Sequence, residues 1–145
     1  MKAIIAAVAI AALGVGAAFA QADAIKQRQQ IMEKVGKATG AAGKMLKGEA
    51  KFDLATAQAT LDTYVEATRT FGGLFPENSR TGNDTEALPA IWEKKAEFDA
   101  KLAKLGADAT AAKAAIKDEA SFKATMPGVM KNCGGCHETF RAKKS

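Results

Sequence analysis

The sequence predicts an all-α chain folded as an antiparallel up-down-up-down four-helix bundle. Apolar residues recur at intervals of three and four, and no stretch after the first twenty residues shows strand-like alternation. The composition favours helix-forming Ala, Lys, Glu, Gln and Leu. Turn and cap signals divide the chain into long amphipathic stretches, which pack as antiparallel neighbours when their connections are short. At 145 residues and 48% hydrophobic, the chain suits one domain with a real core and is too apolar to be disordered.

The first stretch carries Ile25, Arg28, Ile31, Met32, Val35, Thr39, Ala42, Met45 and Leu46 on one stripe and ends near Gly48. The second opens at Asp53, a good N-cap, and runs through Leu54, Leu61, Tyr64, Val65 and Phe71 to Pro76. A polar loop covers residues 76–86. Pro89 then begins a third helix through Trp92, Phe98, Leu102 and Ile116, since proline is tolerated in a first turn. After a break at Lys117-Asp118 the last stretch holds Phe122, Val129, Cys133, Cys136, His137 and Phe140. Pro127 predicts a kink or a fresh start within it.

The N-terminus has the form of an address. Met1-Lys2, an apolar run from Ala3 to Ala17 and an Ala18-Phe19-Ala20 site describe a cleaved secretory signal over residues 1–20, with a domain over residues 21–145. The apolar run is short for a membrane span, and no later segment could cross a bilayer. Export with so few cysteines fits a bacterial periplasm. The formal charge of +5 is modest and scattered, and aromatics fall at core spacing, so nucleic acid is not an expected partner.

Cys133-Gly134-Gly135-Cys136-His137 is C-x-x-C-H, the attachment pattern for c-type haem. Two thiols three positions apart on a helical turn can form thioethers to one side of a porphyrin, and His137 then offers an imidazole nitrogen to iron. A thioredoxin-like site would need a βαβ context. A disulfide would leave His137 unexplained, and zinc would need a fourth ligand from a chain with no other Cys or His. The chain therefore predicts haem c, one per chain, held in the bundle core.

With a single histidine, a second axial imidazole from the same chain is excluded. Met126 and Met130 lie on the His137 segment, and Met45 is about 220° around the helix from Met32. Met32 is thus the candidate sixth ligand: its sulfur reaches iron, or its side chain packs over the ring and leaves a site open to a diatomic gas. Arg28 interrupts an apolar stripe and suits a haem propionate, or else snorkels to the surface. Arg141, four residues after His137, flanks the proximal side or joins the solvated cations of the tail. No paired carboxylates, nucleophile–base pair or phosphate loop stands out, so the expected role is not enzymatic.

The whole segment after the leader resembles the class II cytochromes c, cytochrome c′ and its low-spin relatives. The resemblance rests on Arg28-x-x-x-Met32, Met45-Leu46-Lys47-Gly48-Glu49, Leu74-Phe75-Pro76, Pro89-Ala90-Ile91-Trp92-Glu93 and the run from Cys133 to Arg141. It implies the four-helix bundle, thioethers at Cys133 and Cys136, a proximal ligand at His137, a distal position at Met32, and haem-proximal roles for Arg28 and Arg141. It further implies electron exchange with periplasmic partner proteins when Met32 binds iron. When Met32 does not, it implies NO or CO binding. Family members are often homodimers through the first two helices.

Overall fold

The computed structural model describes residues 11–143, with side chains from Gln21 onward. Over residues 1–10 the expected leader lies outside the described residues; over residues 11–20 the backbone is helical and continuous with the helix that carries Arg28 and Met32. Four long helices form the bundle: α1 (Ala11–Leu46), α2 (Leu54–Thr70), α4 (Lys95–Ala115) and α5 (Glu119–Phe140). A single turn, α3 (Ala90–Glu93), precedes α4, and two 3₁₀ turns, Phe71–Gly73 and Glu77–Ser79, lie between α2 and α3.

Side-chain pairs fix the register. Near the middle of α1, Lys34 pairs with Glu66 and Thr39 with Tyr64, whereas the late Met45 meets Asp53 at the start of α2. Gln58 and Asp62 of α2 reach Lys113 near the end of α4, while Phe71 just beyond α2 meets Phe98 near the start of α4. Asp108 of α4 accepts from Asn132, and Phe98 stacks against Phe140 at the end of α5. Each neighbour therefore runs antiparallel to the next. Helices α2 and α4 approach closely at Gly106, where a Cβ would sit 2.7 Å from Thr68 Oγ1.

Most boundaries follow from the predicted signals. Gly48 adopts φ +74° just past α1, a left-handed stop that glycine makes without steric cost. Asp53 caps α2 by accepting from Thr56 N–H at 2.7 Å. Asp118 and Ser121 form a reciprocal capping box that opens α5.

Three expectations change. The second helix does not run to Pro76: it ends at Thr70 and tightens into 3₁₀ geometry at Gly72-Gly73. The third helix is divided at Lys94 (φ −122°, ψ 44°). There the α3 turn is tied back by the Trp92 indole N–H donating to Phe75 O at 2.9 Å. Pro127 starts no new helix, because α5 continues through it. Pro127 is exposed, so the carbonyl that lacks a partner there faces water rather than the core.

The core is in two parts. One packs Ala42, Leu61, Tyr64, Ile116, Phe122 and Met126 at the end of the bundle where α1 meets α2. The other is aromatic: Phe71, Phe75, Phe98 and Phe140 in edge-on or tilted contact, with Ile91 and Leu102. Among the described residues no helix is long and apolar enough to cross a membrane.

Phe122 is fully buried and meets Phe52 at 5.4 Å between ring centroids. Phe122→Ala is expected to cost about 3–5 kcal/mol in denaturant unfolding, whereas Leu54→Ala, at an exposed position, changes stability by less than about 0.5 kcal/mol. Tyr64 is fully buried, and its hydroxyl donates to Thr39 Oγ1 at 2.8 Å, since the Thr39 proton goes to Val35 O. Burial raises the Tyr64 pKa. A raised folded-state pKa gives stability that is complete below the unfolded value, about 10, and is lost as pH rises through the folded one. Tyr64→Phe should therefore flatten the alkaline limb of stability against pH, read from denaturant midpoints.

Candidate functional site

A cavity of about 430 Å³ opens beside the aromatic part of the core, within the usual size of small-molecule and cofactor sites. Every candidate residue from the sequence lines it: Arg28 and Met32 from α1, Cys133, Cys136 and His137 from α5, and Arg141 just beyond. Phe71, Phe75, Phe98 and Leu102 form apolar wall. Among the described residues no three His, Cys, Asp or Glu side chains gather to hold a bare metal ion. The group that this site suits is a large, mostly apolar one with its own metal.

The chemistry-bearing turn belongs to α5. At about 100° per residue, Cys133, Cys136 and His137 share one helix face. Both thiols are free and partly buried. Burial pushes both thiols above the usual cysteine range; for Cys136, Lys101 pulls back and Cys133 adds to the rise. A Cβ at Gly134 or Gly135 would meet no protein atom within 4 Å, so the backbone between the thiols stands clear. His137 is held below the ordinary histidine pKa, first by burial and then by Arg141, with Glu86 opposing. The shift favours the neutral imidazole, the form that can ligate iron.

Among the described methionines, Met32 is the one that lines this cavity. Met45 and Met126 are buried in the other part of the core, and Met130 packs against it. Met32 instead packs with Ile31, Trp92 and Cys136 against the aromatic cluster.

Arg28 does not snorkel. It is 5% exposed and both terminal nitrogens are fully engaged. One donates to Leu74 O (3.2 Å) and Ser79 Oγ (3.0 Å), the other to Ser79 O (3.0 Å) and Thr85 Oγ1 (3.2 Å). Its guanidinium lies 4.6 Å from the Phe75 ring centroid. Burial lowers its pKa, yet a guanidinium stays charged. These acceptors lie on the loop after α2, and nothing in the periodicity pointed to Ser79 or Thr85 as partners of an α1 residue.

Arg141 lies beyond the helix. It is the C-cap of α5 in extended conformation, its N–H donating to His137 O, and it bridges Ala87 in antiparallel fashion. Its direction is thus set by that bridge and by Glu86, 3.9 Å from its Nε, rather than by helical spacing. Leu88 N–H to Phe140 O and Ala142 N–H to Glu86 O complete this strap. Glu86, Lys101 and Asn132 also line the cavity; isolated polar residues on a loop or helix carry no sequence signal for that.

Arg28→Ala would strip four donors from buried or part-buried acceptors. The expected loss is about 2–3 kcal/mol in urea unfolding, and Arg28→Lys recovers only part of it, because a single ammonium cannot reproduce the fork.

A family profile described as Cytochrome C′ matches residues 23–141. The chain is 54% identical to the cytochrome c′ of Rhodopseudomonas palustris over 133 residues, 92% of this chain and 91% of that one. It is 39% identical to a cytochrome c-556 of Agrobacterium fabrum, across 99% of this chain and 97% of the relative. The solved R. palustris cytochrome c′ superposes with a TM-score of 0.83, covering 85% of this chain and 98% of that one at 54% identity. The cavity, the C-x-x-C-H turn and these likenesses agree: the chain belongs to the cytochrome c′ family of class II cytochromes c, haem proteins built as four-helix bundles.

Proposed function

We propose that this chain is an exported, non-enzymatic electron carrier holding one haem c. Cys133 and Cys136 form its two thioethers, His137 is the proximal ligand and Met32 the sixth. The observation that carries the reading is that one cavity is lined from α5 by both thiols and the imidazole, and from α1 by a single thioether. When bound, the haem supplies a one-electron centre; the chain supplies the rest. The apolar wall excludes water, which limits reorganisation and favours electron exchange over side chemistry. Burial, with help from Arg141, lowers the His137 pKa and so favours its neutral form, and Arg28 puts a buried positive charge beside the cavity, where it suits a propionate.

Export rests on the leader pattern and on a spacing. A solved variant of the R. palustris protein carries substitutions at a glutamine, a phenylalanine and a tryptophan separated by 31 and 40 residues, the glutamine being its first residue. Gln21, Phe52 and Trp92 have the same separations here, which supports cleavage after Ala20, release from the membrane and residence in a bacterial periplasm. The partners of this reading are periplasmic redox proteins and, by likeness to the family, a second copy of the chain.

A second reading is favoured by the high identity to a cytochrome c′. In it Met32 packs without binding iron, and the open position takes NO or CO. A single-substitution variant of the cytochrome c′ from Alcaligenes xylosoxidans, 25% identical with a TM-score of 0.73, has been solved as a nitric oxide complex. Absorption spectra separate the two. Met ligation predicts narrow reduced bands, a weak sulfur-to-iron band at the red end and slow CO uptake, with Met32→Ala becoming high-spin and CO-reactive. A broad high-spin Soret and rapid CO binding in the unmodified protein would establish the second reading instead. Cys133→Ala with Cys136→Ala should abolish covalently retained haem under denaturing conditions.

A further inference from the structure

We propose that Gly36 is a specificity-determining position of the haem site: the side chain it lacks leaves an opening beside Met32 by which a small uncharged molecule, of the size of a diatomic gas, enters and leaves the cavity. The inference rests on the proposed haem site and deepens its gas-binding reading.

Gly36 is exposed to solvent and also lines the cavity. A Cβ built on it meets no atom within 4 Å, so no neighbouring element closes the wall at that point. Packing therefore gives no reason for a glycine here, and glycine inside a helix is disfavoured relative to alanine. Gly40 and Gly43 have the same clearance but line no part of the cavity. Gly36 is one turn beyond Met32 and rotated from it by about 40°, so the opening lies at the shoulder of the thioether. Next to it α1 lines the cavity with Met32, Val35 and Thr39. None of these is charged, which suits a neutral molecule and offers an ion no partner.

The other end of the same flank is shut. Gln29 precedes Gly36 by seven residues, which places it within about 20° on α1 and about 10 Å back along the axis. It lines the cavity too, but its side chain crosses to the loop and donates from Nε2 to Asn83 O at 3.1 Å. Arg28 ties the same loop through Ser79 and Thr85, and Asp84 and Glu86 line the cavity there. Of two positions on one helix flank, the glutamine is latched across the mouth and the glycine leaves it open.

The test uses the reduced holoprotein with Met32→Ala, which removes the sulfur under either reading of the site, and follows CO by rapid mixing and flash photolysis. Adding Gly36→Leu should slow CO entry and CO escape together, by about tenfold each. Affinity and absorption spectrum stay unchanged, because a barrier on the path is met in both directions. Gly36→Ala should fall between. Gly40→Leu, one turn on and with the same change of residue in the helix, should leave both rates as in the parent. Equal rates in the Gly36→Leu and Gly40→Leu proteins would overturn the opening as the route. Slower entry with weakened affinity would overturn it as well, since that marks crowding at the iron. A Met32→Ala holoprotein that takes up no CO would overturn the haem-site reading itself.

Discussion

The rotation of α5 is the constraint on which the site depends. Two sulfurs and an imidazole converge on one cavity only if residues 133, 136 and 137 stay on a single unbroken helix, because a lost or added residue turns the next side chain by about 100°. The chain secures this at both ends of the segment. The Asp118–Ser121 box starts the helix cleanly, and the Ala87–Arg141 bridge fixes where it stops, one turn after His137. Between them Pro127 is tolerated because its gap in the hydrogen-bond ladder faces solvent.

The second feature is a core that does not close. The end of the bundle around Tyr64, Phe122 and Met126 is packed as an ordinary interior, but beside the aromatic cluster the four helices enclose about 430 Å³. Atoms lining such a space lose dispersion partners on one side. A cavity of that size, walled by phenylalanines, is stable in a folded protein when a large apolar group completes it. In the proposed reading the fold and the haem are parts of one core, and Cys133 and Cys136 would fix that group by covalent attachment rather than by affinity alone.

The fold class, the four long helices and the chemistry-bearing turn were legible from local pattern alone, because periodicity, caps and C-x-x-C-H are all written in short sequence distances. Met32 was reachable by elimination among few methionines, and Met45 and Met126 lie in the far part of the core. What was not legible depends on contacts between distant segments. The helix break at Lys94 follows from Trp92 donating to Phe75. The four acceptors of Arg28 lie 46 to 57 residues away. Arg141 faces the site for a reason other than helical spacing, namely a two-residue bridge to a loop.

Arg28 joins these features. A buried cation is costly unless its donors are satisfied, and here the loop after α2 accepts four hydrogen bonds from the Arg28 guanidinium. The same bonds pin the rotation and translation of α1 against that loop. Met32 lies one turn further on, so the geometry that buries the guanidinium also decides how the thioether is offered to the cavity.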